Sequence, residues 1–410
     1  MDIKNNKIKN TIFTLIILTI IFIVFLVVGE IAARKVYGDG MFSIIDPQVH
    51  HCYRPYVDLQ RAWGSGRRFH FMTNSLGWRD KVPNRLVEKE NKTQKRIVFL
   101  GDSMTEGMGY EQEKTQSGVV ESLLLKEGLD VEVLNGGTAS FSPLLEYTRL
   151  RQFLNNGYKT DIVVVLPDFA DFNDEVQYRS FFKFDETGEP IKLNHFMYSP
   201  VVRFFLNNSA LARIVKRDGY NKFKDWYKEY FAKDNIKKSS ELRMQETKGL
   251  PVSKPKDQLA IVKVKDVLAA SPTQNTYVRL NYWKDQPSLN GWIKEITPFM
   301  LSNMDRIKAL CDKNGIELIV VIYPWPCHFT APANEPGIDT YENTFVSYCK
   351  DRNIKYIDLI PVFKNSYSNY GPTWQDLFII GDMHFNENGH KLAGTTIANE
   401  LIPEVKKIKR

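Results

Sequence analysis

Lys95-Arg96-Ile97-Val98-Phe99-Leu100, followed by Gly101-Asp102-Ser103, is the stretch on which the fold of this chain turns. Ile97 to Leu100 are apolar without a break, which marks a strand buried on both faces rather than one with a wet side. Gly-Asp-Ser then ends the strand with turn-forming residues. Ligands in open α/β sheets bind at the carboxyl ends of strands, so Ser103 stands where a nucleophile would be placed. Outward from this point the pattern repeats. A helix is predicted from Thr115 to Lys126, a strand over 131–135, a helix from Pro143 to Asn155 stopped by Asn156-Gly157, and a strand over 161–166. Later come a helix from Pro298, suited to its first turn, to Asn314, and a strand from Ile316 to Tyr323. A helix from Glu342 to Arg352, a strand from Ile354 to Leu359 and a last helix from Gly389 to Leu401 complete the series. Strands alternating with helices imply a parallel sheet covered on both faces.

Nearly three hundred residues further on, Asp382-Met383-His384 supplies what Ser103 lacks. A serine hydroxyl is a weak nucleophile unless a histidine takes its proton and a carboxylate holds that histidine in the right tautomer. Ser103, His384 and Asp382 are therefore the candidate nucleophile, base and orienting acid. Asp102 is expected to shape the turn rather than to act as the acid. His390, inside the last helix, is expected to pack or cap. Asp171 and Asp174 would orient the loop around Asn173, and Pro324-Trp325-Pro326 either lines the pocket or ends its strand at a turn.

On these residues the chain resembles the SGNH (GDSL) hydrolases, in particular their membrane-anchored bacterial cell-envelope esterases and acyltransferases. Phe99 to Gly107 is similar to the family's first block, Val133 to Ser142 to its second, Asp171-Phe172-Asn173-Asp174 to its third, and Asp382-Met383-His384 to its fifth. Thr73 to Asp80 resembles the segment that precedes the first block in anchored relatives. The resemblance implies a flavodoxin-like three-layer α/β/α sandwich with a parallel sheet, and an oxyanion hole from the backbone N–H groups of Ser103 and Ser140 and the Asn173 side chain. Three positions depart from the family pattern: Ser140 and Asp171 stand where glycines are usual, and Asp-x-His replaces the commoner Asp-x-x-His. The likeness covers about residues 70–175 and 290–405.

The N-terminus bears on location. Thr11 to Val28 carries no charge and, with Gly29 to Ala33, reaches the ~20 residues a helix needs to cross a bilayer. Lys4, Lys7 and Lys9 precede it, whereas Glu30 and Asp39 offset Arg34 and Lys35 after it, so the N-terminus is expected in the cytoplasm and the rest outside. The apolar run is longer than a signal-peptide core, which favours an uncleaved anchor in the plasma (inner) membrane over a cleaved leader. The expected organisation is a cytoplasmic 1–10, an anchor at 11–33, an extension at 34–95, a hydrolase domain at 96–175 and 290–405, and a helical insertion or cap at 176–289. Within the insertion, Val201 to Val215 reads as an amphipathic helix; core packing is the expectation for its apolar face, with a membrane-surface role as the alternative.

With 410 residues, 43% hydrophobic and 25% charged, the chain can build a sizeable core. Its net charge of +7 lacks the concentrated basic stripe of a nucleic-acid reader. Cys52, Cys311, Cys327 and Cys349 allow up to two disulfides in an exported domain, or are buried small hydrophobes. None has metal-ligand spacing, and acyl transfer through serine needs no cofactor, so neither metal nor cofactor is expected. The expected activity is ester hydrolysis or O-acyl transfer, acetyl first by resemblance, on an acylated cell-surface glycan or lipid. A catalytically inactive glycan-binding or assembly protein and a lipase acting on membrane lipids are the alternatives.

Overall fold

The computed structural model describes residues 2–37, 41–63, 67–219, 287–330, 338–380 and 382–408. Most of the insertion expected at 176–289, including Trp226-Tyr227, Tyr230-Phe231 and Lys248 to Pro255, lies outside the described residues. In chain order the principal helices are α1 (Asp2–Tyr37), α2 (Ser103–Glu106), α3 (Gln116–Lys126), α4 (Pro143–Asn155), α5 (Asp171–Arg179), α6 (Pro200–Asn208), α7 (Ala210–Ile214), α8 (Pro287–Asn314), α9 (Ile338–Asp351), α10 (Leu359–Ser366) and α11 (Glu387–Lys407). The strands of the main sheet are β1 (Asp58–Trp63), β2 (Arg67–Thr73), β3 (Arg79–Asp80), β4 (Lys95–Gly101), β5 (Val131–Asn135), β6 (Ile162–Leu166), β7 (Glu317–Ile322) and β8 (Lys355–Asp358). The chain divides into two compact units, Met1–Ile45 with His195–Leu250, and Asp46–Asn194 with Pro251–Arg410.

The larger unit is an α/β/α layered body around an eight-stranded sheet of order β8-β7-β6-β4-β5-β3-β2-β1. The five strands from β4 to β8 run parallel. Their order, second-first-third-fourth-fifth, is one of the two common doubly wound arrangements, whose switch point falls between the first and third strands. Those strands are β4 and β6, and their apolar runs are fully buried, as in Ile97–Leu100 and Val163–Val165. Helix α3 packs on α11, while α4, α5 and α8 pack together.

The sheet departs from the expected all-parallel one. β5 is followed at its edge by the antiparallel strands β3, β2 and β1. Burial alternates along β1 and β2, with Phe69 and Phe71 on the buried face. Helix α8 also starts earlier than expected and runs through Pro298. A proline removes one ladder donor, and a helix packed along its length continues across that gap. None of the four cysteines is in a disulfide and all are buried, as small apolar residues are; burial pushes the Cys52 thiol up to about 11 and those of Cys311 and Cys349 up to about 12.

In the smaller unit, α1 contains a 26-residue span, Asn10–Lys35, of mean hydropathy 3.2, long and apolar enough to cross a membrane. Helices α6 and α7 are tied to its C-terminal end. Glu30 accepts hydrogen bonds from Ser209 Oγ at 2.7 Å, Ala210 N at 3.0 Å and Leu211 N at 3.1 Å, and Arg34 Nη2 donates to Asn208 O at 2.7 Å. Core packing of the apolar face of 201–215, the expectation above, holds only in part, since Leu211 and Ile214 are half-buried. Leu206 is buried, but Phe204 is 62% and Phe205 55% exposed. The side of α6 turned into the unit is that of Leu206, and Asn207 beside it pairs through its side chain with both backbone groups of Ile45.

Candidate functional site

Strand β4 ends in the turn that presents Ser103. Asp102 caps α2, its Oδ1 accepting from Met104 N at 2.8 Å, and Gly107 closes the single turn in the left-handed region at φ +76°. Gly101 is required by close approach, because a Cβ there would lie 2.1 Å from Thr105 Oγ1 and 3.0 Å from Leu166 O. The loop before α11 brings up the other residues, with Asn386 capping that helix at Asn388 N and Gly389 N.

The structure brings Ser103, His384 and Asp382 together across 281 positions of sequence. His384 Nε2 lies 2.8 Å from Ser103 Oγ, and His384 Nδ1 lies 2.6 Å from Asp382 Oδ1. With the imidazole proton on Nδ1, donated to the carboxylate, the Nε2 lone pair faces the serine hydroxyl. Asp102 Oδ2 is a second, more distant acceptor for that hydroxyl at 3.2 Å. The short Asp-x-His spacing has a geometric counterpart. Asp382 Oδ1 also accepts from Met383 N at 2.6 Å and His384 N at 3.1 Å, so the carboxylate folds back on its own turn to meet the ring two residues on.

A residue that no motif marked holds the other carboxylate oxygen. Trp63, at the end of β1, donates from Nε1 to Asp382 Oδ2 at 3.1 Å, and its ring meets the His384 imidazole edge-on, with centroids 5.5 Å apart at 86°. The antiparallel hairpin thus contributes directly to the site. A second bridge binds the hairpin to α2. Glu106, fully buried, accepts from Tyr53 Oη at 2.5 Å, Arg61 Nη1 at 3.0 Å and Ala139 N at 3.1 Å.

Ser140 lies in the loop after β5, exposed, at φ +61°. This left-handed conformation is one that glycine adopts freely and serine at some cost. Among the described residues, neither Ser103 N–H nor Ser140 N–H has a backbone acceptor. The preceding loop is pressed against α2, since a Cβ on Gly137 would come within 2.3 Å of Glu106 N. Asn173 begins the third residue of α5, and its side chain lies outside the described residues.

Behind Ser103 lies a set of buried acids that local sequence did not reveal as a group. Tyr323, after β7, donates to Asp168 Oδ2 at 2.6 Å and to Asp102 Oδ1 at 3.4 Å, joining the ends of three neighbouring strands. Burial and then Asp168 push the Asp102 carboxyl well above its ordinary range. Burial, Glu146 and Asp168 do the same to Asp171, whose Oδ2 receives Asp168 N at 2.7 Å. Glu146 is raised by burial, Glu175 and Asp168, and neither of its carboxyl oxygens has a hydrogen-bond partner among the described residues. Glu175 is also raised by burial, although Ser142, Leu144 N and Asn303 bond to it. Asp171 is therefore a structural member of this set.

His390 is fully buried against Gln116, and burial lowers its pKa to about 3, so it is a neutral packing residue. Trp325 is buried beside Phe169, with ring centroids 5.7 Å apart. No group of three or more metal-ligating side chains occurs among the described residues.

No protein-family profile matches the chain, and no curated protein matches it. Among solved structures, the chain is similar to a psychrotrophic esterase, EstA, from Pseudoalteromonas sp., at 11% identity, covering 77% of this chain and 100% of that one, with a TM-score of 0.37. It is similar to a member of the lipolytic protein G-D-S-L family from Veillonella parvula at 9% identity, covering 76% and 99%, with a TM-score of 0.37. It is likewise similar to an acetyl-xylooligosaccharide esterase from Geobacillus stearmophilus, at 10% identity, covering 77% and 96%, with a TM-score of 0.39.

Proposed function

We propose that this protein is a membrane-anchored serine ester hydrolase or O-acyltransferase of the SGNH (GDSL) kind, acting on an O-acylated glycan or lipid outside the cytoplasm. The observation that carries the reading is the continuous hydrogen-bonded line from Ser103 Oγ through His384 to Asp382. His384 Nε2 takes the hydroxyl proton as Ser103 Oγ bonds to the ester carbonyl carbon, and Asp382 stabilises the imidazolium. The carbonyl oxygen, now negative, is met by the N–H groups of Ser103 and Ser140; the family motif adds the Asn173 amide. Collapse breaks the ester C–O bond, and His384 returns its proton to the departing alkoxide. The acyl-serine is then opened by water, giving hydrolysis, or by a sugar hydroxyl, giving transfer.

The anchor reading is supported by the apolar span of α1 and by Lys4, Lys7 and Lys9 before it, which favour an N-terminus in the cytoplasm. Acetyl is the acyl group that the family resemblance favours.

The test is the intact mass of the full chain, in detergent, after exposure to a serine-reactive phosphonate. One adduct on the parent and none on Ser103→Ala is expected. A folded parent that stays unlabelled while a known serine esterase reacts would refute the mechanism and point to glycan binding. For a labelled protein, acetyl-sugar release in water compared with acetyl transfer to an added oligosaccharide separates hydrolase from transferase.

A further inference from the structure

We infer that residues 196–215 form a membrane-interface seat, whose apolar face lies in the headgroup and upper acyl layer of the same bilayer that α1 spans. The inference rests on the anchor reading of α1 but is independent of the proposed chemistry. Val201, Phe204 and Phe205 recur at the i, i+3, i+4 spacing that places side chains on one helix face. They are 67%, 62% and 55% exposed, and Phe196 and Val215, on either side of them in the chain, are 63% and 59% exposed. An uncovered run of aromatic and branched residues of this kind, on a body built with a well-filled core, marks an interaction surface.

The occupant follows from what the segment is attached to. The uncharged run of α1 ends at Gly29, and its nineteen residues from Thr11 rise about 28 Å, close to the thickness of a hydrocarbon core. Glu30 and Arg34, in the next turns, are the residues that hold Ser209, Ala210, Leu211 and Asn208. Leu211 is also packed on Gly29, where an added Cβ would lie 3.2 Å from Leu211 Cδ2. The segment is thus fixed at the level where the span leaves the lipid, and its exposed apolar side chains are held at the depth of the interface. Lys216 and Arg217, exposed next to Val215, supply the positive charge that suits anionic headgroups.

Spin-label depth measurements on the full chain in vesicles of phosphatidylethanolamine and phosphatidylglycerol test this. The native cysteines are all buried, so single labels are introduced by Phe204→Cys, by Phe22→Cys in the middle of α1 and by Leu86→Cys, an exposed position of the larger unit. At positions 22 and 204, collision with oxygen should exceed collision with a water-soluble nickel chelate, with 204 the shallower of the two; at 86 the order should reverse. If 204 behaves like 86 while 22 remains in lipid, the seat is refuted and the anchor stands. If 204 is shielded from both reagents, protein covers the face and the seat is refuted. If 22 meets the chelate freely, the anchor reading fails and the seat falls with it.

Discussion

Replacing Trp63 by Phe leaves a smaller ring beside His384 and removes the N–H donated to Asp382 Oδ2 at 3.1 Å. The other oxygen keeps its two backbone donors and the imidazole, so the carboxylate stays near its place but gains freedom to rotate about them. A hydrogen bond to a charged group contributes about 1.5–3 kcal/mol, and partial access of water to the freed oxygen reduces this to about 1–2 kcal/mol. The Asp382 side chain is 16% exposed, which is why that reduction applies. If the loss falls on the transition state, kcat drops about 5- to 30-fold, since each 1.36 kcal/mol is tenfold. The assay is initial rates on 4-nitrophenyl acetate for the parent, Trp63→Phe, Asp382→Asn and the double variant, with thermal melts alongside. Asp382→Asn alone should cost about 10⁴-fold by favouring the wrong tautomer. Because Trp63 acts through Asp382, the second substitution should add little to the first. A Trp63→Phe enzyme within about twofold of the parent would refute the reasoning, as would full additivity of the two losses, because a positioning role requires coupling.

Ser140→Gly removes a side chain from a left-handed position but keeps the backbone donor. Activity should stay within about twofold, and stability should be unchanged or raised by up to about 1 kcal/mol, the strain relieved being offset by the freedom glycine gains when unfolded; rates and denaturant midpoints check both. Gly137→Ala would drive a Cβ into Glu106 N at 2.3 Å, where the obstacle is backbone. A loss of about 1–3 kcal/mol in stability with a parallel fall in activity is expected, since the Ser140 loop must shift. The buried acids Asp102, Glu146, Asp171 and Glu175 have folded pKa values above their unfolded ones, so the native state holds more protons and stability falls as pH rises above about 4. Each group contributes at most about 1.4 kcal/mol per pH unit until its folded pKa is passed. Glu146→Gln should flatten this decline in urea titrations run from pH 4.5 to 8, and an unchanged slope would contradict the assignment.

The strand-turn reading of residues 95–103 and the Asp-x-His motif at 382–384 were legible without coordinates because their signals are local. A continuous apolar run can only be a buried strand or helix, and a Gly-Asp-Ser turn ends it. The alternation of such runs with helical stretches carries the parallel half of the sheet, and the length of the apolar run in α1 carries the candidate span. What tertiary structure alone decided is everything that depends on which distant segments meet. Strands β1 and β2 pair antiparallel on the far edge of the sheet, and only that pairing brings Trp63 to Asp382, 319 positions away. Asp102, Asp168 and Tyr323 are ordinary polar residues in sequence, and the ordering of β4, β6 and β7 side by side makes them one buried network. Phe204 and Phe205 show the same limit from the other direction. An amphipathic pattern identifies an apolar face, but whether that face meets the core or is left open depends on which side of the helix the rest of the unit grips, and here the gripped side is that of Leu206.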